Sequence, residues 1–194
     1  IINGMRGATG AIEKVVVADG DIRFNIIGNT KPAGICGSGL IDLMAELLRL
    51  GVVDGTGRIQ APEDLPDTTP APIRARLAGA DGQYNFLLVS GKESAGGKPI
   101  YLYQKDVREL QLASGAIRTG INILLKMEGL KAADLGSILL AGAFGNFIRR
   151  NNARRIGMLP PVPCERIRFM GNTASFGAKM VLLSMAEEEY AARI

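Results

Sequence analysis

Ser137-Ile-Leu-Leu-Ala-Gly-Ala-Phe-Gly-Asn146 is a short uncharged apolar run that breaks into small residues. It reads as a buried strand whose end lets the backbone lie against a flat ligand. Gly142 and Gly145 adopt positive φ readily and carry no side chain to hold such a ligand off. A long amphipathic helix lies upstream, and a second Gly-Asn opening, Gly171-Asn172, lies downstream. Together these stretches read as half of a nucleotide-binding α/β domain.

The 194 residues, 47% of them hydrophobic, suffice for one domain with a real core. Twenty-three basic against nineteen acidic residues leave a net charge of only +4. That is far below the charge density of a dedicated nucleic-acid binder. No apolar run approaches the roughly 18 residues of a membrane span. The chain opens Ile1-Ile2-Asn3 without an initiator methionine, as a piece of a longer protein would. It has no histidine and two distant cysteines, Cys36 and Cys164. A Cys/His zinc site, a Ser-His or Cys-His nucleophile pair and a four-cysteine iron–sulfur cluster within one chain are therefore excluded. No metal ligand set is assigned. So few cysteines suit a reducing cytoplasm.

Residues 12–18 and 21–27 are β-rich runs joined through Asp19-Gly20, a hairpin signal. A glycine-punctuated loop, 28–39, leads into a helix over Leu40–Leu50, where Leu40, Ile41, Met44, Leu47 and Leu48 fall at helical spacing and Gly51 follows as a stop. Residues 55–83, with Pro62, Pro66, Pro70 and Pro72, read as a surface excursion with little regular structure. Tyr84–Val89 and Pro99–Tyr103 read as strands of a small hairpin. Gln104–Met127 is the best helix, with Val107, Leu110, Ser114, Ile117, Ile121 and Leu124 on one stripe. A helical turn over Asn151–Ile156, a strand over Ile167–Met170, a helix over Asn172–Ser184 and a polar tail complete the chain. Helices alternating with short apolar strands indicate α/β layers.

Gly34-Ile-Cys-Gly-Ser-Gly39 opens a helix, and the first amides of a helix lack internal partners and carry partial positive charge. Such a turn can hold a phosphate, or can simply pack a helix against a strand. No Lys-Ser/Thr pair follows, so it is not a Walker A loop. Gly142-Ala143-Phe144-Gly145-Asn146 can face an adenosine or can be an ordinary strand–turn crossing. At Gly171-Asn172 a plain helix cap is the favoured reading. Six arginines, Arg149, Arg150, Arg154, Arg155, Arg166 and Arg168, crowd twenty residues. They could dock an acidic partner or form a solvated face. The carboxylates Asp42, Glu46, Asp106 and Glu109 read as solubilising positions on helix faces, with Asp106 also favourable to a helix dipole.

Six blocks carry a resemblance: Asn3-Gly-Met-Arg-Gly-Ala-Thr-Gly-Ala-Ile12, Pro32-Ala-Gly-Ile-Cys-Gly-Ser-Gly-Leu-Ile-Asp42, Gln104-Lys-Asp-Val-Arg-Glu-Leu-Gln-Leu-Ala113, Leu140-Ala-Gly-Ala-Phe-Gly-Asn146, Arg155-Ile-Gly-Met-Leu-Pro-Pro161 and Gly171-Asn172. In this order, over residues 3–184, they resemble the C-terminal part of the reductive activators of corrinoid proteins. That family joins a [2Fe–2S] ferredoxin domain to an ATPase domain of the acetate and sugar kinase, chaperone and actin superfamily (ASKHA). The resemblance implies a ribonuclease H-like, actin-like α/β lobe with a mixed sheet and helices on both faces. Residues 1–54 and 100–185 would form the C-terminal lobe, 55–99 a Pro/Gly-rich insertion with a β-hairpin, and 186–194 a tail. It implies an ATP-using protein that returns the Co(II) of a corrinoid methyltransferase protein to Co(I).

By position, Gly142, Ala143, Gly145 and Asn146 would face adenosine, and Gly37, Ser38 and Gly39 would donate backbone N–H groups. ATP with Mg²⁺ and a [2Fe–2S] cluster are implied for the full-length protein, the cluster in a domain absent here. Catalytic residues are not assigned, the Asp-Gly-Thr-Thr type phosphate loop of the first lobe being absent. A lobe of another superfamily kinase or of an acyl-CoA dehydratase activator, or a dimerisation module without catalysis, are the alternatives. A homodimer fits any of them, whereas nucleic acid and membrane partners do not.

Overall fold

The computed structural model describes residues 1–80, 82–142 and 147–193. Its order begins with a hairpin of β1 (Ala11–Ala18) and β2 (Asp21–Ile26), in register from Lys14 opposite Asn25 to Ala18 opposite Asp21. Both turn residues take positive φ, Asp19 at 53° and Gly20 at 75°, the turn that matches the natural strand twist. β3 (Gly34–Ile35) runs parallel to β1 on its other side, which makes the sheet mixed. A second antiparallel sheet holds β4 (Leu77–Ala80), β5 (Gln83–Val89) and β6 (Ile100–Leu102). The stretch read as a surface excursion with little regular structure therefore supplies a strand. It also contains the short α2 (Ala71–Arg74) and buries Ile59, Leu65 and Ile73. Its prolines fall where no strand pairing is needed, and isolated apolar residues between them were enough to anchor it.

α1 (Gly37–Arg49) begins three residues earlier than the apolar spacing indicated, because Cys36 takes an extended conformation at the N-cap and the small residues continue the helix. One of its faces buries Leu40, Leu43, Met44 and Leu47 in a single core with Ile12, Val15 and Ile22 of the first sheet and Phe86, Leu88, Ile100 and Leu102 of the second. At about 25 cal/mol per Å² of apolar surface, this shared core is the main favourable term holding the two sheets together. A bidentate ion pair, Arg76 Nε and Nη2 to Asp21 at 2.7 and 2.8 Å, ties them at the rim. Arg76 also holds the Asp21 carboxyl below the usual carboxylate range, chiefly by that hydrogen bond.

α3 (Gln104–Met127) has the bounds its periodicity indicated. Asp106, 1% exposed, caps it: Oδ2 accepts from Tyr103 N at 3.2 Å and Oδ1 from Ile2 N at 2.8 Å. Only Asp106, Val107, Leu110 and Ser114 of this helix are buried, all in its first half. β7 (Ile138–Ala141) and β8 (Ile167–Gly171) form a two-stranded parallel sheet, with α4 (Arg150–Arg155) between them in sequence and packed on α1. α5 (Thr173–Leu183) starts at Asn172, whose side chain accepts from Ser175 N. The polar tail forms a further helix, α6 (Met185–Ala191), capped by Ser184. Leu124, Met127, Leu139, Phe176, Leu182 and Leu183 stay exposed. None of the described helices is long and apolar enough to cross a membrane.

Candidate functional site

The two glycine-rich turns singled out in the sequence lie at the ends of different elements. β7 ends at Gly142 with φ of 99°, and the parallel β8 ends at Gly171 with φ of 72°. Gly142 N donates to Gly171 O at 2.8 Å, so the strands finish side by side. A Cβ built on either glycine meets nothing within 4 Å among the described residues. Each is therefore a glycine for its backbone conformation, and each leaves open space beside the chain. This is the carboxyl edge of parallel strands, where open α/β sheets take their ligands. Ala143, Gly145 and Asn146, the remainder of the adenosine-facing stretch, lie outside the described residues.

Gly37, Ser38 and Gly39 form the first turn of α1, which runs along β1. Gly39 is a glycine because the strand is too close: a Cβ there would lie 2.3 Å from Ile12 O. Ser38, 4% exposed, donates its hydroxyl to Glu13 O at 2.8 Å. Cys36 Sγ lies 3.3 Å from the same hydroxyl and donates to Ile12 O at 3.4 Å. The side chains of this turn are thus occupied in holding helix to strand. What it can offer an anion is backbone N–H, as at any helix start. A cavity of about 320 Å³ opens there, lined by Arg6, Glu13, Gly37, Ser38 and Phe147 among others.

A larger cavity, about 660 Å³, shares Glu13 and Phe147 with it. Lys14, Arg149, Arg150, Asn152 and Phe169 also line it. The Arg150 guanidinium stands 5.7 Å from the centre of the Phe169 ring, a cation–π arrangement beside β8. The walls thus combine positive charge with two aromatic faces, a chemistry suited to an anionic ligand that carries a flat ring.

Behind this cavity lies a group that the sequence reading took for a solubilising carboxylate. Asp42 is 1% exposed. Its Oδ1 accepts from Asn152 Nδ2 at 2.6 Å and its Oδ2 from Val15 N at 3.2 Å, with Arg149 Nε 3.4 Å from Oδ2. Burial is the largest influence on its titration and raises it above the usual carboxylate range. The bonds from Asn152 and Val15 and the Arg149 charge oppose that rise, and Glu46 adds to it. The signal for this role was present in the sequence: Asp42 interrupts the otherwise apolar run Leu40–Ala45 and stands four residues after Ser38, on the same helix face.

The arginine cluster stays at the surface, with Arg149 and Arg154 half-buried and the rest exposed, yet most of it is bonded to neighbouring segments. Arg149 reaches Asp42, and Arg150 donates to Cys164 O and Ile167 O. Arg154 reaches Cys164 Sγ, Arg155 pairs with Glu46, and Arg166 donates to Ala133 O and Leu135 O. Arg168 alone of the six has no partner among the described residues. These side chains mainly stitch α4 and the loops around β8.

Comparison with known proteins shows the family to which the chain belongs. The profile of a family described as the C-terminal domain of RACo, the ASKHA domain, matches residues 1–194. This chain belongs to that family. It is 44% identical to the corrinoid activation enzyme RamQ of Eubacterium limosum over 184 residues, 95% of this chain and 31% of that protein. A [Co(II) methylated amine-specific corrinoid protein] reductase of Methanosarcina barkeri is 34% identical over 87 residues, 45% of this chain and 16% of the reductase. The fold superposes on a solved reductive activator for a corrinoid, iron–sulfur protein with a TM-score of 0.80 and 30% identity, over 98% of this chain and 29% of that one. The chain therefore spans about a third of the length of RamQ and of the solved activator.

The residues present fit a nucleotide better than they fit a cluster. The cavity offers charge, rings and room. By contrast, Cys36 is buried against Ser38, and Cys164 donates to Asn151 Oδ1 while accepting from Arg154, so the two thiols serve separate local contacts. Two cysteines cannot supply the four thiolates of a [2Fe–2S] centre. Nor, among the described residues, do three carboxylate or thiol groups converge as a metal site would require.

Proposed function

We propose that this chain forms the adenosine side of a nucleotide cleft in an ATP-dependent reductive activator, a cytoplasmic protein that returns the Co(II) of a corrinoid methyltransferase protein to Co(I). The observation that carries the reading is the carboxyl edge of β7 and β8. There two parallel strands end on positive-φ glycines with open space beside them, next to a basic cavity with aromatic walls. Gly142 provides bare backbone against which the base and ribose lie, and Ala143, Gly145 and Asn146 are assigned to the same contact by sequence position. The N–H groups of Gly37, Ser38 and Gly39, at the positive end of α1, face the phosphates.

The relatives support the larger assignment, since RamQ and the solved activator both carry corrinoid activation in their names. In the full-length protein the reduction takes one electron per cobalt, and a [2Fe–2S] domain outside this chain supplies it. Mg²⁺ is held by residues elsewhere in that protein, together with the γ-phosphate. The lobe is ribonuclease H-like, with helices on both faces of its sheet, and 55–99 is an insertion that adds its own strands to the core. The apolar side chains exposed on α3, β7 and α5 are covered by other parts of the full-length protein, because a two-stranded sheet alone buries too little to be stable.

The test is calorimetric titration of the full-length protein with ATP, before and after Gly142→Val. Wild type should bind ATP, and the variant, whose positive-φ backbone a branched residue strains so that its melting temperature falls, should lose at least about tenfold in affinity when titrated well below that temperature, because the side chain fills the space beside the strand end. Absence of ATP binding by the intact wild-type protein, or a folded variant with unchanged affinity, would remove this reading.

A further inference from the structure

We propose that Asp42 is a positioning residue, a buried joint that sets α4 against β1 and so fixes the spacing of the two walls of the 660 Å³ cavity. The functional part of this inference rests on the reading of that cavity as the nucleotide site. One wall is Glu13 and Lys14 of β1, and the other is Arg149, Arg150 and Asn152 at the start of α4. Asp42 lines neither wall. It sits behind them and holds both, through Val15 N on one side and Asn152 Nδ2 with Arg149 Nε on the other. Arg149 closes the ring by donating from Nη1 to Val15 O at 3.4 Å. Among the described residues no other hydrogen bond joins α4 to β1.

The chemistry requires a carboxylate. Two N–H groups donate to its two oxygens and the Arg149 guanidinium lies 3.4 Å from one of them, and an ionised Asp is acceptor-only and negative, which suits all three. An Asn of the same shape would turn an NH₂ group toward one of these donors. The joint is also tied to the other glycine turn. Ser38, one helical turn before Asp42, bonds Glu13 O, two residues before Val15 on the same strand edge. α1 is therefore laced to β1 at two points. The turn at Gly37–Gly39 and the entry to α4 keep a fixed relation through one side chain. Sequence neighbours could not do this, since Asp42 and Asn152 are 110 positions apart.

The experiment exchanges the pair in the full-length protein: Asp42→Asn, Asn152→Asp, and the two together. Each single change sets like groups against each other, donor facing donor or carboxylate facing carboxylate. The double change restores one carboxylate and one amide with the roles reversed. Two readouts are taken well below each variant's melting temperature. The first is ATP affinity by calorimetry. The second needs no ligand: the distance between spin labels at Lys14→Cys and Asn151→Cys, in a Cys164→Ser background, on the two sides of the cavity. The single variants should broaden or shift the label distance and weaken ATP at least about tenfold, and the double variant should recover both. If Asp42→Asn folds and leaves the label distance unchanged, the joint does not position the walls and the proposal is overturned. It is equally overturned if the distance changes but ATP affinity of the folded variant does not. If the distances behave as expected while wild type binds no ATP, the joint stands and the nucleotide reading of the cavity fails.

Discussion

Replacing Gly39 with alanine is the sharpest stability test that the structure offers. A Cβ at this position would lie 2.3 Å from Ile12 O, 3.1 Å from Ile12 C and 3.2 Å from Ile35 Cγ1. The first two are backbone atoms of a strand paired on both sides, so the strand cannot yield locally. To reach ordinary contact, α1 must withdraw by roughly 1 Å, in a core packed too densely to absorb that freely. The Ser38–Glu13 bond, now 2.8 Å, and the Asp42–Val15 bond, now 3.2 Å, would both stretch past useful length. Losing two buried bonds, one to a carboxylate, costs about 2–4 kcal/mol. Overpacking adds about 1–3 kcal/mol. Against this, alanine in a helix gains about 1 kcal/mol over glycine. The net loss, about 2–6 kcal/mol, is a large part of a typical domain stability of about 5–15 kcal/mol. Thermal melting of the full-length protein should show the transition of this domain lowered by roughly 5–20 °C. Gly115→Ala is the internal control, since a Cβ there meets nothing within 4 Å on the same kind of backbone. It should be neutral or stabilising by up to about 1 kcal/mol. A Gly39→Ala protein as stable as wild type would refute the claim that this glycine exists to let helix and strand approach.

Other perturbations give further expectations. The Asp21 carboxyl is held low by Arg76, so its contribution is complete above the unfolded value of about 3.9 and disappears as pH falls through the lower folded value. Asp21→Asn should therefore flatten the acid limb of a melting-temperature profile below about pH 4, and a profile unchanged in that window would count against the pair. Asp42 has the opposite sign, because burial raises it. Its contribution favours the folded state below about pH 3.9 and fades as pH rises through the folded value, so Asp42→Asn should remove a component that falls with increasing pH. Asp106→Ala leaves Tyr103 N and Ile2 N without their acceptor at a buried helix start, and chemical denaturation should register a loss of about 2–3 kcal/mol.

Much of the fold could be read locally. The Asp19-Gly20 turn, the 24-residue α3 and the strands at 138–141 and 167–171 follow from turn chemistry and periodicity, which act between neighbours. The short strand β4 was not legible, because Leu77-Ala-Gly-Ala80 has almost no β signal of its own and forms only by pairing with β5. The glycine turns could be located, but their reasons could not be separated. Gly39 answers to a strand pressed against it, whereas Gly142 answers to its own φ of 99°.

The order of hydrophobic, glycine and capping residues by itself determined which segments became helix or strand, since those preferences are decided within a few residues of chain. Only the tertiary structure decided that Asp42, in appearance one more surface carboxylate, is buried between Val15 and Asn152, and that five of the six crowded arginines are tied to carbonyls, carboxylates or a thiol from other segments. Burial and pairing across 110 positions are properties of the packed core, and the charge of a side chain gives no sign of which neighbours that core will bring to it.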